Sequence, residues 1–385
     1  MKDKRILILG IFILMALAMG ITYAYFSAKI IGSETESTLV FDAGTLSINL
    51  DGGNTLNGDK MIPGDTPFST KKFTVIGNNN SNGYMPYSVN LVVDENTYST
   101  DAISYTFELV TNETDNNGVP IENRENTPIN YTNIIGSGYF TKGSNIKHTY
   151  LLKMYFLDTH TDQSADMKAR FNAHIEITGN RASKNKVTVT FDADGGEVET
   201  LSKEVVIGSA YGNLPIPTKE GYEFLGWNGK NMFNEESILM DIRDARYEKG
   251  YYVFTSASAY AKYSNGNSLP SFSFKENTQY TYSVYGYVLT GDLRLNLRDV
   301  ERTQASRLIF DITTEGMKKL TSPANTTLDS QQVMTYGING TIYIKHIQLE
   351  EGTEVTEYEP YFLNKYIKVT QTENHTLKAI WKEIE

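Results

Sequence analysis

Apolar residues along most of this chain recur at every second position. Leu46, Ile48 and Leu50 alternate with polar residues, as do Tyr105, Phe107 and Leu109. The same period runs through Tyr150, Leu152, Met154 and Phe156, then Phe171, Ala173, Ile175 and Ile177. Successive side chains of a strand point to opposite faces, so each run predicts a strand with one buried face. Turn formers separate the runs: Asp51-Gly52-Gly53, Pro63-Gly64-Asp65, and the Asn-rich stretch from Gly77 to Gly83. Short strands at this spacing predict an all-β chain built of sandwiches. The pattern continues downstream in Val187, Val189 and Phe191, in Phe272 and Phe274, in Tyr280, Tyr282 and Val284, and in Leu293, Leu295 and Leu297. Leu308, Phe310 and Ile312, and then Ile342 and Ile344, complete the set. Two changes of apolar face around Lys345-His346-Ile347 predict a β-bulge.

The start of the chain follows a different pattern. Lys2, Lys4 and Arg5 precede an apolar run from Ile6 to Ile21, interrupted only by Gly10 and Gly20. A basic start and a short apolar stretch form an export signal. The run lies near the lower limit of the roughly 17–25 residues that cross a bilayer, and Thr22 to Phe26 extend it. Positive charge stays on the cytoplasmic side, which places the rest of the chain outside. Thr22 and Ala24 are small enough for a signal peptidase, predicting a cut between Ala24 and Tyr25. Uncut, residues 1–27 form a single membrane anchor. No L-P-x-T-G sorting motif follows Trp381, so retention at the surface is expected to rest on this N-terminal segment or on self-assembly.

Composition removes several chemistries. The net charge is −11, with no basic cluster beyond the start, which argues against a nucleic-acid partner. Cysteine is absent, so ordinary cores hold the folds, and thiol chemistry and Cys-based zinc sites are excluded. The 26 Tyr and 17 Phe against 2 Trp suit half-buried strands. The five histidines are His148, His160, His174, His346 and His375. They form no H-E-x-x-H, the pairing a zinc protease needs on one helix face. His174 and Glu176 alternate with the apolar residues of their strand and are expected to face solvent, while His148 and His160 bracket another strand. No nucleophile elbow, phosphate loop or dinucleotide fingerprint is present. The expectation is a protein that is not an enzyme and uses no cofactor and no catalytic metal.

Three stretches resemble known families. FDAGTLSINL (Phe41–Leu50), MIPGDTPFSTKKFTVIGNNNSN (Met61–Asn82), PYSVNLVV (Pro86–Val93), GITYAYFS (Gly20–Ser27) and FLDTHTDQSADMKARFNAHIEITG (Phe156–Gly179) are similar to the TasA/camelysin family. That resemblance implies a jelly-roll-like sandwich over residues 28–179 and a role in extracellular fibres or biofilm matrix. Some members polymerise by giving an N-terminal strand to the next subunit. The donor here would run from Tyr25 to about Val40, since an open sheet edge is a template for strand addition. Camelysin has also been classed as a metalloprotease, a reading the missing zinc motif does not support.

After a polar linker at 180–186, VTVTFDADGGEVETLSKEVVIGSAYGNLPIPTKEGYEFLGWNG (Val187–Gly229) resembles the internalin B-repeat, or Listeria–Bacteroides repeat. The resemblance implies a small β-grasp-like module of surface proteins, normally closed by a strand like L-Y-A-K-W. The matching strand here is LKAIW (Leu377–Trp381). The module therefore reads as split, residues 187–229 plus 363–385, around an insertion at 230–362. Loop-closure entropy rises slowly with length, and an insert whose own ends lie close is tolerated best. Asp194-Gly195-Gly196 reads as a hairpin turn rather than a calcium loop, which needs more carboxylates. Trp227 and Trp381 read as core.

The insertion holds 13 of the 26 tyrosines. Its ending, IYIKHIQLEEGTEVTEYEPYF (Ile342–Phe362), and its opening, KNMFN (Lys230–Asn234), resemble galactose-binding-like jelly rolls, which occur in carbohydrate-binding modules and phage tail proteins. Glycan binding by such a domain would draw on Tyr247, Tyr251, Tyr252, Tyr260 and Tyr263, near Arg243 and Arg246. A tyrosine alternating on a strand is more often half-buried core. The reading taken together is an exported cell-surface or matrix protein, structural and adhesive, whose partners are itself, cell-wall or host glycans, and the membrane if the leader is uncut. A carbohydrate-binding module is the alternative.

Overall fold

The computed structural model describes residues 28–31, 37–41, 44–50, 55–59, 61–98, 102–129, 132–179, 186–248, 250–255, 260–262, 274–298, 305–323, 328, 334–338 and 340–384. Residues 1–27, with the expected cut between Ala24 and Tyr25, and Tyr263 lie outside them. More than half of the described residues are strand, with one short α-helix, Ser237–Asp241. No helix among them is long and apolar enough to cross a membrane. The chain divides into two compact units, 1–128 with 137–184, and 129–136 with 185–385.

The first eleven strands are β1 (Ala28–Ile31), β2 (Ser37–Phe41), β3 (Gly44–Leu50), β4 (Thr55–Asp59), β5 (Ser69–Asn79), β6 (Met85–Asn96), β7 (Ile103–Leu109), β8 (Arg124–Pro128), β9 (Thr132–Phe140), β10 (Gly143–Phe156) and β11 (Arg170–Gly179). One sheet runs β1-β11-β6-β9, with β4 also on β11, and the other runs β2-β3-β5-β10-β7-β8. Alternation explains what they bury. Tyr150, Leu152 and Met154 of β10 and Phe73 and Val75 of β5 are buried, with the residues between them less so. Rings bridge the two sheets: Tyr87 of β6 lies 5.8 Å from His148 of β10, and its hydroxyl is 2.7 Å from His148 Nδ1. Gly77 is required here, because a Cβ would overlap the Phe140 ring.

The histidines depart from expectation. Glu176 is buried, and His174 Nδ1 lies 2.8 Å from Asp94. Their strand, β11, has neighbours on both sides, so adjoining side chains shield the face that alternation assigns to solvent. His148 is fully buried, whereas the His160 side chain is 90% exposed.

The second unit adds β12 (Lys186–Asp192), β13 (Ser202–Val206) and β14 (Tyr222–Asn228). It continues with β15 (Arg246–Glu248), β16 (Tyr251–Phe254), β17 (Tyr260–Lys262), β18 (Tyr280–Val288), β19 (Asp292–Arg298), β20 (Ala305–Phe310), β21 (Gly316–Thr321), β22 (Met334–Ile338) and β23 (Ile342–Glu351). It closes with β24 (Phe362–Leu363) and β25 (His375–Glu383). The sheet β13-β12-β25-β14-β24 joins the two sequence-distant parts: β25 runs parallel to β12 and antiparallel to β14. Trp227 and Trp381 are buried in it, and Phe224 lies 5.5 Å from each ring. Their indole N–H groups donate to the Pro215 and Ala193 carbonyls at 2.8 and 2.9 Å. Asp194 and Gly195 have φ of 49° and 83°, and Gly196 N donates to Ala193 O, as a two-residue hairpin turn requires. The Asp194 carboxylate pairs with Lys378 at 2.9 Å.

Strands β15 to β23 form two further sheets, β15-β16-β23-β18-β21 and β17-β22-β19-β20. Phe254, Tyr282, Val284, Ile342 and Ile344 of the first pack with Leu293, Leu295, Leu297 and Phe310 of the second in one core. The predicted bulge is present. Tyr285 pairs with His346 and Gly286 with Ile344, leaving Lys345 extra.

At the departure and return points of this block the chain is tied by side chains. Asn228 Nδ2 donates to the carbonyls of Asn231 and Tyr361 at 2.9 and 2.8 Å. Asn231 donates to Ile347 O and accepts from Phe233 N and Leu349 N. Glu359, fully buried, accepts from Lys230 N, Thr370 Oγ1 and Gln371 Nε2. Lys230 Nζ donates to Thr356 Oγ1, Glu357 O and Thr370 Oγ1 at 2.6, 2.6 and 3.0 Å.

Burial pushes the His148 imidazole down from 6.5 to about 4. The unfolded chain therefore takes up this proton at a higher pH than the folded one. The stability of the first unit is expected to be full above pH 6.5 and to decline as pH falls towards about 4, by about 3 kcal/mol in all. Hydrogen exchange of β5, β6 and β10 amides across this range checks it. His148→Gln is expected to flatten the decline, and an equally steep decline in that variant contradicts the assignment.

Candidate binding face of the inserted sandwich

The five-stranded sheet of the insert has one face on the core and one turned away from it. In β18, Tyr280, Tyr282, Val284 and Val288 join the core, so Thr281, Ser283, Tyr285 and Tyr287 face outward. In β23 the outward set is Tyr343, Lys345, His346, Gln348 and Glu350. A regular strand would turn Lys345 and His346 to opposite sides. The bulge brings both to the outer face, and Gly286 opposite it is required because a Cβ would overlap the Tyr343 carbonyl.

Half of this outer face is sealed by the segment after β23. Thr281 Oγ1 donates to Gly352 O at 2.8 Å. Gln348 Oε1 accepts from Glu359 N at 2.9 Å. Glu350 accepts from Thr356 N and Oγ1 at 2.9 and 2.6 Å.

The other half gathers aromatic rings around one ion pair. Tyr287 and Tyr343 stack at 4.5 Å and 7°. Tyr251 meets both edge-on, at 5.7 and 6.0 Å. Tyr285 stacks on His346 at 6.1 Å, and His346 on Tyr358 at 4.0 Å. Lys345 Nζ lies 5.7 Å from both the Tyr251 and Tyr285 rings and 3.0 Å from Glu315, to which Tyr251 O–H donates at 2.8 Å. Burial works against the Glu315 carboxylate, but its bonds from Lys345 and Tyr251 outweigh that and hold it below its ordinary range. Burial, aided by Lys345, pushes His346 down to about 4. Tyr358 O–H donates to Glu235, a buried carboxylate that desolvation raises to about 7. Met317, pairing with Tyr285 across β18 and β21, is 54% exposed.

The residues expected from the sequence are distributed, not gathered. Tyr251 is on the outer face. Tyr252, its neighbour on β16, points the other way and packs against the core. Tyr247 is 40% exposed and stands edge-on to Tyr252 at 4.9 Å. Arg243 and Arg246 are exposed. Tyr260 pairs with Tyr336 in the other sheet, and its side chain lies outside the described residues. The residues missed were Tyr285, Tyr287, Tyr343, Lys345, His346 and Tyr358. Their signal was phase: Tyr285 and Tyr287 fall one position off the core set of Tyr280, Tyr282 and Val284.

Among the described residues no group of three or more His, Asp or Glu is placed to hold a metal ion. Residues 188–240 match the family model of the Listeria–Bacteroides repeat domain. No curated protein matches the chain. Vicilin from hazelnut (Corylus avellana) is similar at 9% identity over 84% of this chain and 85% of its own, with a TM-score of 0.17. The CupB6 tip adhesin of Pseudomonas aeruginosa is similar at 7% identity over 92% and 98%, also with a TM-score of 0.17. Scores this low carry no argument about fold or function. The matched segment covers most of β12 and all of β13 and β14, and Listeria–Bacteroides repeat domains occur in cell-surface proteins.

Proposed function

We propose that this chain is an exported surface or matrix protein, structural and adhesive, whose inserted sandwich binds carbohydrate through the tyrosine half of its outer sheet face. The observation that carries the reading is the cluster of Tyr251, Tyr285, Tyr287 and Tyr343 around the Lys345–Glu315 pair. Rings supply apolar contact for the C–H faces of a sugar, and carboxylate, ammonium and phenol groups supply partners for its hydroxyls. The tyrosines and Lys345 stand on strands, and Glu315 stands directly before β21, held by Lys345 and Tyr251, which fixes them before a ligand arrives. The repeat segment supports a surface location.

Tyr343→Ala is expected to weaken binding of the mature chain to its glycan by about tenfold, the worth of roughly one well-placed aromatic contact. Tyr247→Ala is expected to leave binding unchanged. Isothermal titration with array-selected oligosaccharides measures both. Equal losses at the two positions would sink the assignment.

Self-assembly is a second reading, with its own observation. Strand β1 lies on β11 of its own chain over only four pairs, Ala28↔Gly179 to Ile31↔Glu176, while β4 takes the rest of that edge. A strand so short is held by few bonds, and the same edge accepts the β1 of another copy. The natural chain has no cysteine, so a Lys29→Cys, Thr178→Cys pair, placed at partner positions, reports the exchange. Oxidised assemblies are expected to run as a ladder of linked subunits on a non-reducing gel. A single monomer band from filaments would show that the strand stays at home.

A further inference from the structure

Charge narrows which glycan the tyrosine face takes. Among the described residues, register places Lys345 in the bulge at the centre of this face and Arg246 two strands from Tyr343; Lys319, opposite Ser283, lies towards the sealed half, where it donates to Thr353 O. Each has a carboxylate beside it. Lys345 pairs with Glu315 at 3.0 Å, and the carboxylate is the more exposed partner, at 34% against 15% for the lysine side chain. Lys319 pairs with Glu354 at 3.1 Å with the same bias, 83% against 44%. Arg246 acts on Asp244, where the Thr255 N–H and O–H also donate. His346, stacked between Tyr285 and Tyr358, carries no charge at neutral pH. A ligand approaching the rings thus meets the Glu315 carboxylate before the Lys345 ammonium, while Arg246, exposed beside half-buried Asp244, stands at the rim. The net charge of −11 adds a repulsive field for any polyanion.

We infer that the tyrosine face takes uncharged glycans and rejects those carrying carboxylate, sulfate or phosphate, an inference that rests on the carbohydrate reading above. Glu315 accepts hydrogen bonds from sugar hydroxyls, which a neutral pyranose offers and an acidic group does not. The rings serve both kinds of sugar alike, so the discrimination comes from the carboxylates.

The test passes the mature chain over a panel of neutral gluco-, manno- and galacto-oligosaccharides and over oligogalacturonate, sialyllactose and sulfated oligosaccharides, at low and physiological salt. Neutral sugars are expected to bind, with loss in Tyr343→Ala and partial loss in Tyr343→Phe. Acidic sugars are expected to bind at least about tenfold more weakly, with a gap that closes in part at higher salt and in Glu315→Gln. Acidic sugars bound as tightly as neutral ones, and lost in Tyr343→Ala, would overturn the inference and leave the carbohydrate reading standing. A preference for neutral sugars unchanged in Glu315→Gln would also overturn it. Absence of any glycan binding that depends on Tyr343 would remove both.

Discussion

Strand β25 has to return to the sheet that the chain left after Asn228, and that return rests on a buried carboxylate. Glu359 lies fully inside the protein, where an unpartnered charge would cost several kcal/mol. Its oxygens accept from Lys230 N on the outgoing chain and from Thr370 and Gln371 in the loop before β25. Lys230 closes the same ring of contacts through Thr356, Glu357 and Thr370. Gly229 is part of the arrangement, since a Cβ there would overlap the carboxylate. Asn228 and Asn231 add backbone-like bonds across the two passing chains. The ends of the inserted block are therefore held side by side, the geometry in which a long insertion is best tolerated.

The same segment that makes this closure shapes the candidate site. On its way from β23 to Glu359 it covers the half of the outer sheet face bearing Thr281, Gln348 and Glu350. The half it leaves is the one with tyrosines and the Lys345–Glu315 pair. Tyr358, one residue before Glu359, stacks on His346 and marks the border. Closure of the sheet by β25 and presentation of the tyrosine face are two results of one chain path.

The sequence was most informative where one local rule sufficed. Alternation located most of the strands, Asp194-Gly195 the turn, and the shift around Lys345 the bulge; Phe274, expected on a strand, is instead buried from irregular chain before β18, and Phe272 lies outside the described residues. The two tryptophans are core, as their positions implied. It was least informative where neighbours come from far along the chain. Nothing local marks Glu359 as buried, because its partners lie near 230 and 370. Nothing local shields Glu176, which needs the flanking strands on both sides of β11. Tyr251 and Tyr252 were read as one group by composition, although adjacent strand residues point to opposite faces. The decisive tyrosines were readable by phase but were absorbed into a strand count.

The junction around Glu359 predicts that the sheet carrying β12 and β25 and the block of strands β15 to β23 unfold as one cooperative unit, which holds the tyrosine face in place. Both tryptophans of the chain, Trp227 and Trp381, lie in the β13-β12-β25-β14-β24 sheet, so their fluorescence reports that sheet alone. Leu295 is buried in the core of the insert. The direct measurement is denaturant unfolding of the full chain and of Leu295→Ala, followed by tryptophan fluorescence. A drop of roughly 2–5 kcal/mol in the stability reported by the tryptophans is the predicted result. An unmoved tryptophan transition, with the insert melting earlier by circular dichroism, would contradict it.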